Sequence, residues 1–283
     1  MDQLFANLLD LLRELDGRGV PLTVGGGFGL YLKRTRLART GEQTLFSELP
    51  DVRATNDIDM FIRAEVLADL TRTTAVAEAI SGLGYEVVEE AKYLQWKRPV
   101  VVGGMGQEVK IDVLVGPLGA YRRRMKVSPP RARPKGDVRF HAHMVEEALR
   151  LEERPIGIPV EGLTSDGRPY GSTVFVPEAF PYLLMKLHAY SDRKDDANKD
   201  LGRHHALDAY TIVGMMTEVE YERAKRCGAA DEGSEHLRRA RVIVSDDFSS
   251  RSSPGILKLR EHPLYRESFR LDDFMAVVRE ILG

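Results

Sequence analysis

The sequence predicts an α+β fold in which strands and helices share the first 176 residues and helices alone fill the remainder. Two stretches, 57–62 and 108–115, alternate in residue character with the period of two expected of strands that bury one face. From Pro177 onwards, apolar residues recur at helical spacing nearly to the end of the chain. We therefore expect an α/β domain over residues 1–176 and a helical domain over residues 177–283.

The other elements follow from the spacing of apolar residues and the positions of turn residues. Leucines at helical spacing predict a helix at residues 4–15, which Asp16 and Gly17 end. Further strands are predicted at 21–24, 85–89, 93–97, 156–163 and 172–176. Further helices are predicted at 28–39, 65–80, 178–191, 202–216, 219–227, 236–244 and 272–282. The basic, proline-rich segment 128–136 is predicted to be a loop.

Composition and charge indicate an ordinary globular protein. Hydrophobic residues make up 43% and charged residues 30% of the 283 positions, and the formal charge is −2. This charge excludes a bulk attraction to nucleic acid but leaves local basic patches possible. Cys227 is the only cysteine, so no intrachain disulfide can form, and no apolar run approaches membrane-spanning length. The first 15 residues do not have the layout of a signal peptide, and we expect a soluble, cytoplasmic protein without a membrane partner.

Two carboxylates mark the start of the first alternating strand. In an extended chain Asp57 and Asp59 point to one face, while Ile58 and Met60 point to the other. Like charges this close repel each other, which a bound cation would relieve, and oxygen ligands suit a hard cation such as magnesium. The alternative is that the two carboxylates form a polar strand end without a ligand.

Three glycines, Gly25, Gly26 and Gly27, separate a predicted strand from a predicted helix. Glycines at this position allow backbone N–H groups to approach a phosphate, and the helix N-terminus adds partial positive charge. The alternative is a tight turn without a ligand. The sequence here matches neither the P-loop pattern nor the dinucleotide-binding pattern.

The combination of these motifs resembles the nucleotidyltransferases of the polymerase-β-like superfamily. The resemblance consists of a strand, a double glycine, a helix, the segment Arg53-x-Thr55-x-Asp57-Ile58-Asp59, and Asp112 on a later strand. It implies a mixed sheet with flanking helices. It also implies two magnesium ions that orient an NTP and an attacking hydroxyl for displacement of pyrophosphate. The spacer between the glycines and Asp57 is longer than the short spacer of that family.

The resemblance assigns roles residue by residue. It makes Asp57, Asp59 and Asp112 metal ligands, and Asp112 also helps to deprotonate the acceptor hydroxyl. The glycine turn, chiefly Gly26 and Gly27, holds the triphosphate together with Thr55. For Asp112 the alternative is a surface carboxylate paired with Lys110.

The helical half resembles the AbiEii/AbiGii-type toxin family. The resemblance covers Pro177 to Ala189 with Lys186, then Arg193, then the segment His205 to Tyr210. It implies that Lys186, Arg193 and Asp208 complete the active site, with the two cations on the β- and γ-phosphates. Lys186, Tyr190 and Arg193 lie at i, i+4 and i+7, on one helix face. His205 replaces the first aspartate of the family's segment, and the alternative is a surface ion-pair network between two helices.

The resemblance implies a magnesium-dependent nucleotidyltransferase that moves NMP from an NTP to a hydroxyl and releases pyrophosphate. It suggests a toxin of a toxin–antitoxin pair, with RNA, such as a tRNA 3′ end, as acceptor and a cognate antitoxin as partner. The alternatives are transfer to a small molecule, as in antibiotic-modifying relatives, or to a protein hydroxyl, and a non-catalytic nucleotide-binding or protein-binding module. The basic residues from Arg122 to Lys135 predict either a patch for an RNA backbone or a solvated loop.

Overall fold

The computed structural model describes residues 2–102, 104–230 and 233–283. The chain divides into two compact units. The first unit consists of Met1–Gly29, Ala54–Glu146 and Arg150–Pro177, and the second of Leu30–Arg53, Glu147–Leu149 and Glu178–Gly283. Residues 30–53, which precede the acidic strand in the sequence, therefore belong to the second unit. The domain division at residue 176 stays a prediction.

The first unit is built around a mixed β-sheet. Its strands are β1 Thr23–Val24, β2 Asp57–Phe61, β3 Glu86–Val87, β4 Gln95–Val102, β5 Met105–Val115, β6 Met125–Ser128, β7 Arg131–Pro134, β8 Ala142–Met144, β9 Ile156–Leu163 and β10 Pro169–Val176. The order is β6-β7-β8-β5-β2-β1-β10-β9, while β4 pairs with β5 and β3 pairs with β4. The pairs β1–β10, β2–β5 and β5–β8 are parallel, and the other pairs are antiparallel.

Helices account for most of the second unit, and others accompany the sheet of the first. They are α1 Asp2–Leu15, α2 Gly26–Thr40, α3 Ala64–Leu67, α4 Leu70–Gly82, α5 Ala179–Arg193, α6 Lys199–Gly214, α7 Glu218–Ala230, α8 Glu235–Asp247, α9 Pro254–Arg260 and α10 Leu271–Leu282, with a short 3-10 helix at Gly119–Arg124. The leucines of α1 are buried against β9, β10 and α4. In the described part of the chain, no helix combines the length and apolar character needed to span a membrane.

The core positions the polar site because strands β2 and β5 are buried on one face only. Ile58 and Met60 on β2, and Ile111 and Val113 on β5, have no exposed surface. The three aspartates, which alternate with these residues, are only partly covered. The predicted fold class, a mixed sheet with flanking helices followed by a helical region, is confirmed.

The structure corrects three local predictions. The single helix predicted at 65–80 is two helices, α3 and α4, because the Asp69 side chain accepts hydrogen bonds from the N–H groups of Thr71 and Arg72 and caps α4. The loop predicted at 128–136 is largely the turn and second strand of the hairpin β6–β7, whose prolines Pro129 and Pro130 form the turn. Helix α9 is absent from the sequence-based prediction, and it begins at Pro254, where a proline is tolerated.

Candidate active site

Three acidic residues of the first unit lie on two neighbouring parallel strands. Asp59 on β2 is in register with Asp112 on β5, and Asp57 is in register with Lys110. Neighbouring strands are about 4.8 Å apart, and residues in register point to the same face of the sheet. The structure therefore places the three predicted carboxylates on one face of two adjacent strands, and Lys110 lies on the same face.

The environment of Asp112 disfavours its ionised form. Burial raises the pKa of the Asp112 carboxyl from 3.8 to about 6, and the neighbouring charge of Asp59 acts in the same direction. The Gln95 amide opposes this shift by donating a hydrogen bond of 2.6 Å to Oδ1 of Asp112. A carboxyl with a pKa near 6 is ionised at neutral pH and still basic enough to take a proton from a bound hydroxyl.

The predicted glycine turn packs directly against β2. Gly26 has a φ of +59°, and a Cβ atom built there would lie 1.5 Å from Oδ2 of Asp59. The N–H of Gly25 donates to the carbonyl of Asp59 at 2.8 Å. A side chain at residue 26 would meet both backbone strain and a collision, so glycine is required here by the carboxylate as much as by the turn.

Helix α2 begins at this turn, with Gly26 and Gly27 as its first two residues. The first N–H groups of a helix have no partner within the helix, and the helix end carries partial positive charge. The Asp59 carboxylate lies at this end. The same geometry suits the oxygens of a phosphate.

The side chain of Thr55, which the sequence predicts to bind the nucleotide, forms a hydrogen bond with the backbone of its own segment. Its Oγ1 accepts a hydrogen bond of 3.2 Å from the N–H of Asp57, which orders the chain at the start of β2. Its role in nucleotide binding stays a prediction.

The donor chemistry of the three aspartates fits a hard divalent cation. All the donors are carboxylate oxygens, and a cation would remove the repulsion that contributes to the raised pKa of Asp112. Among residues 2–102, 104–230 and 233–283, no three His, Cys, Asp or Glu side chains lie close enough together to hold a metal ion as they stand. The metal ions therefore stay a prediction that the donor set supports.

In the second unit, Lys186 and Asp208 form a buried ion pair between α5 and α6. Nζ of Lys186 lies 2.8 Å from Oδ2 of Asp208, and the two side chains are 9% and 1% exposed. The Nε of Arg53 lies 3.4 Å from Oδ1 of the same carboxylate. One aspartate thus holds two cations, and the cluster of Arg53, Lys186 and Asp208 has a surplus of positive charge.

The charges within this cluster shift the neighbouring pKa values. Burial would raise the pKa of Asp208, but the charges of Lys186 and Arg53 outweigh it and hold that pKa below 3.8. Burial, aided by the charge of Lys186, lowers the pKa of His205 to about 3. Asp208 is therefore ionised and His205 neutral at pH 7. The pair with Lys186 is buried, whereas the alternative interpretation of the sequence places it in a surface network.

Arg193 differs from this cluster in its environment. Its side chain is 54% exposed and pairs with Asp196 at 3.6 Å, one turn beyond the buried part of α5. Tyr190, between Lys186 and Arg193 on the predicted face, is fully buried and donates a hydrogen bond of 3.3 Å to Asp247. Described contacts do not join Arg193 to Lys186, and the role of Arg193 as a phosphate ligand stays a prediction.

Two residues that contact the predicted site residues have no role assigned from the sequence. Arg53 contacts Asp208, and its only sequence signal is its place at the head of the acidic segment. Gln95 binds Asp112 because β4 and β5 pair these two residues directly across the antiparallel ladder. The pairing of β4 with β5 could have been anticipated from their adjacency, but the register could not.

Comparisons with known proteins add little to this geometry. No family model matches the chain. No curated protein sequence matches it either. Among solved structures, the chain is similar to the solution structure of the antibiotic-resistance factor ANT(2'')-Ia, with a TM-score of 0.35 and 17% identity, over 83% of this chain and 99% of that chain. The inference of function therefore depends on the chain's own residues.

Proposed function

We propose that this protein is a magnesium-dependent nucleotidyltransferase that transfers NMP from an NTP to a hydroxyl acceptor. The observation that carries the proposal is the register of Asp59 with Asp112 on parallel strands, next to the glycine turn that begins α2. Carboxylates that bind divalent cations and a helix N-terminus that binds phosphates both serve the positioning and charge neutralisation on which phosphoryl transfer depends.

Each residue of the first unit has a distinct role in this reaction. The glycine turn of Gly25, Gly26 and Gly27, with the N-terminus of α2, binds the triphosphate. Thr55 contributes to the binding of the same nucleotide. The magnesium ligands are the three aspartates, Asp57, Asp59 and Asp112. We propose two ions because the superfamily that the sequence resembles uses two. When bound, these ions neutralise phosphate charge and orient the reacting groups.

Asp112 also acts as the base. It accepts the proton of the acceptor hydroxyl, whose oxygen forms a bond to the α-phosphorus. The bond between the α-phosphorus and the bridging oxygen breaks, and pyrophosphate leaves with those electrons.

The cations of the second unit would stabilise the leaving pyrophosphate. Lys186 is the main candidate, and Arg53 and Arg193 are further candidates. Asp208, with 1% of its side chain exposed and two cations on its oxygens, holds Lys186 and Arg53 in position and has no accessible face for substrate chemistry. We therefore assign it a positioning role.

The acceptor is proposed to be RNA, with a tRNA 3′ end as the specific candidate. The protein would then act as a toxin that a cognate antitoxin neutralises in the cytoplasm. This part of the proposal is supported by the resemblance of Lys186, Arg193 and Asp208 to the AbiEii/AbiGii-type segment and by the basic residues from Arg122 to Lys135.

A transfer assay tests the catalytic proposal. Purified protein is incubated with magnesium, each α-labelled NTP in turn, and total RNA. We expect label in the RNA fraction with the wild type, loss of label with Asp57→Asn or Asp59→Asn, and retention with Glu86→Gln, an exposed carboxylate on β3. Absence of label in RNA, protein and small-molecule fractions with every NTP would overturn the proposal.

A growth assay tests the proposed biological role. Expression of the wild type should slow growth, and Asp59→Asn at equal protein level should not. If both forms are equally toxic, the toxicity does not come from catalysis. If neither form affects growth while transfer to RNA occurs in vitro, the enzyme is not a toxin.

A further inference from the structure

The strongest concentration of positive charge along the chain lies outside the site described above. It comprises the 3-10 helix Gly119–Arg124, the hairpin β6–β7 and the residues that follow it to Arg139, here called the basic hairpin. From Arg122 to Arg139 the chain has eight lysines and arginines and one acidic residue, Asp137. This segment carries +7 in a chain of net charge −2, so the rest of the chain carries −9.

The hairpin separates its cations from its apolar residues. In the register of β6 and β7, Met125 lies opposite Pro134 and Val127 opposite Ala132, and this face is mostly buried. Lys126 lies opposite Arg133 on the other face. Two like charges directly across a ladder destabilise a sheet, so folding alone does not favour this pair.

In the described ranges, most of these cations have no carboxylate partner. Arg122 pairs with Glu146 at 3.0 Å. Among the ion pairs of the described residues, none involves any of the other seven, which are Arg123, Arg124, Lys126, Arg131, Arg133, Lys135 and Arg139. Elsewhere in the molecule surface arginines are commonly paired, as Arg168 is with Asp166. The basic hairpin is thus a local surplus of positive charge.

Part of the surface is held in a fixed geometry. The guanidinium of Arg131 donates to the carbonyls of Lys92 and Ala91 at 3.1 and 3.3 Å. It also contacts Nδ1 of His141 at 3.1 Å. Backbone carbonyls and a neutral ring orient this cation without cancelling its charge. Edge strands often carry a lysine that prevents aggregation, but that role does not require an ordered arginine beside it.

We propose that the basic hairpin is a docking surface for the phosphate backbone of RNA. This inference rests on the proposed function for the choice of RNA over other polyanions. The surface supplies mainly positive charge, and contacts with phosphates carry no sequence information, so we expect it to bind RNA with little dependence on sequence. Contacts with about five phosphates of a single strand would give a slope of log K against log salt of about −3 to −4.

Anisotropy of a fluorescein-labelled single-stranded RNA of mixed sequence, measured across a salt series, tests the proposal. The variant is Lys126→Gln with Arg133→Gln, and the matched control is Lys97→Gln with Arg168→Gln, two exposed cations of the first unit that pair with carboxylates. We expect the variant to bind about tenfold or more weakly, with a salt slope shallower by about 1.4, which corresponds to about two contacts fewer. The control should stay within about twofold of the wild type.

A folding readout accompanies the binding assay. Because Lys126 and Arg133 repel each other, their neutralisation should leave the melting temperature unchanged or raise it. A fall in affinity with an intact melting temperature therefore assigns the loss to the surface. If the variant fails to fold, Arg123→Gln with Arg124→Gln, on the 3-10 helix, replaces it.

Three results would overturn the proposal. The first is wild-type protein that does not bind the RNA in a salt-dependent way, and the second is equal weakening of variant and control. The third is stronger competition by polyglutamate or by vesicles with anionic lipid than by RNA, which would indicate a different partner. Binding without any transfer activity would contradict the proposed function and leave the docking surface standing.

Discussion

The contact between Gly26 and Asp59 shows how a single backbone position can decide the geometry of the proposed nucleotide site. The carboxylate occupies the space that any other residue at position 26 would fill with its Cβ atom. A triphosphate at the same helix N-terminus would lie beside this carboxylate. A divalent cation between them would then neutralise both groups, since carboxylates and phosphates are ligands of magnesium.

Gly26→Ala is expected to lower both stability and transfer activity. The left-handed conformation alone costs alanine about 1–2 kcal/mol, and displacement of the Asp59 carboxylate adds about 1–3 kcal/mol. Gly19→Ala is the matched control, because Gly19 has a φ of +66° with no atom within 4 Å of the added Cβ. Chemical denaturation of both variants measures the difference. Equal destabilisation of the two would show that the collision with Asp59 is relieved at no cost.

The pair of Lys186 and Asp208 allows a second prediction at this scale. Removal of one partner leaves a buried charge without compensation, so Lys186→Met or Asp208→Asn should each lower the free energy of unfolding by about 3–5 kcal/mol. The double variant should lose less than the sum of the two, because it leaves neither a buried lysine nor a buried carboxylate, and Arg53 then faces a neutral amide. Urea denaturation of the four proteins gives the coupling energy. A coupling near zero would mean that solvent compensates these charges.

At the scale of elements, the sequence predicts the strands and helices that bury one clear face. The alternation at 57–62 and 108–115 corresponds to β2 and β5, and the helical spacing after Pro177 corresponds to α5, α6, α7, α8 and α10. The hairpin β6–β7 looks like a loop in the sequence because arginine, lysine and proline obscure its alternation. Its strands are stabilised by the pairing of β6 with β7 and of β7 with β8. Pairing between strands cannot be predicted from the residue pattern of the segment alone.

In the candidate site, too, residue types can be predicted from the sequence but their burial and partners cannot. Lys186 and Arg193 lie on one helix face by sequence spacing, but the burial of each depends on which element packs over that part of the helix. The cover over Lys186 includes α6 with Asp208, while Arg193 reaches the last, exposed turn. Carboxylate, glycine and lysine motifs are identifiable from residue type and order. The pairing of Arg53 with Asp208 is not predictable, because it depends on the path of residues 41–53.

The histidine pair between α6 and the segment after α9 leads to a prediction of pH dependence. Nδ1 of His262 accepts a hydrogen bond of 3.1 Å from the N–H of Leu264, so its proton lies on Nε2 and is donated to Nδ1 of His204 at 3.0 Å. This arrangement requires both rings to be neutral. Burial lowers the pKa of His262 from 6.5 to about 4, because the protonated ring would lose hydration in the folded protein.

The sign follows from the number of protons bound. Between pH 6.5 and 4, the unfolded chain protonates His262 and the folded protein does not, so stability falls as the pH is lowered. The slope contributed by this residue is about 1.4 kcal/mol per pH unit. His262→Gln should reduce the slope of the free energy of unfolding against pH across this window by this amount. Above pH 7 it should leave the slope nearly unchanged. An unchanged slope would show that His262 is charged in the folded protein or neutral in both states.

At the scale of the whole molecule, charge is distributed very unevenly along the chain. A formal charge of −2 conceals a basic hairpin of +7 and a remainder of −9. A polyanion approaching at long range therefore meets a nearly neutral protein, and attraction develops only within about a Debye length, roughly 8–10 Å at physiological salt. Binding of RNA should accordingly be local to the hairpin and strongly salt-dependent, whereas NTP binding should respond mainly to the carboxylates and their metal.

Ligand-linked stability tests the nucleotide site without any need for turnover. A ligand that binds only the folded protein stabilises it by about 2.7 kcal/mol at a hundredfold excess over Kd. For a chain of this length that corresponds to a rise of about 4–5 °C in melting temperature. A non-hydrolysable NTP with magnesium should produce such a rise in the wild type and in Glu86→Gln. The rise should be absent in Asp57→Asn with Asp59→Asn and smaller in Lys186→Met, compared with each protein without ligand.

The pattern across these variants separates the possible functions. A rise that depends on magnesium and on Asp57 and Asp59, together with label transfer, is expected of the nucleotidyltransferase. A rise of equal size in the aspartate variants would place the nucleotide away from the carboxylates, and a rise without transfer to any acceptor would indicate a nucleotide-binding module. The absence of a rise with every NTP would contradict the nucleotide site itself, since a triphosphate held by the glycine turn must stabilise the fold that forms it.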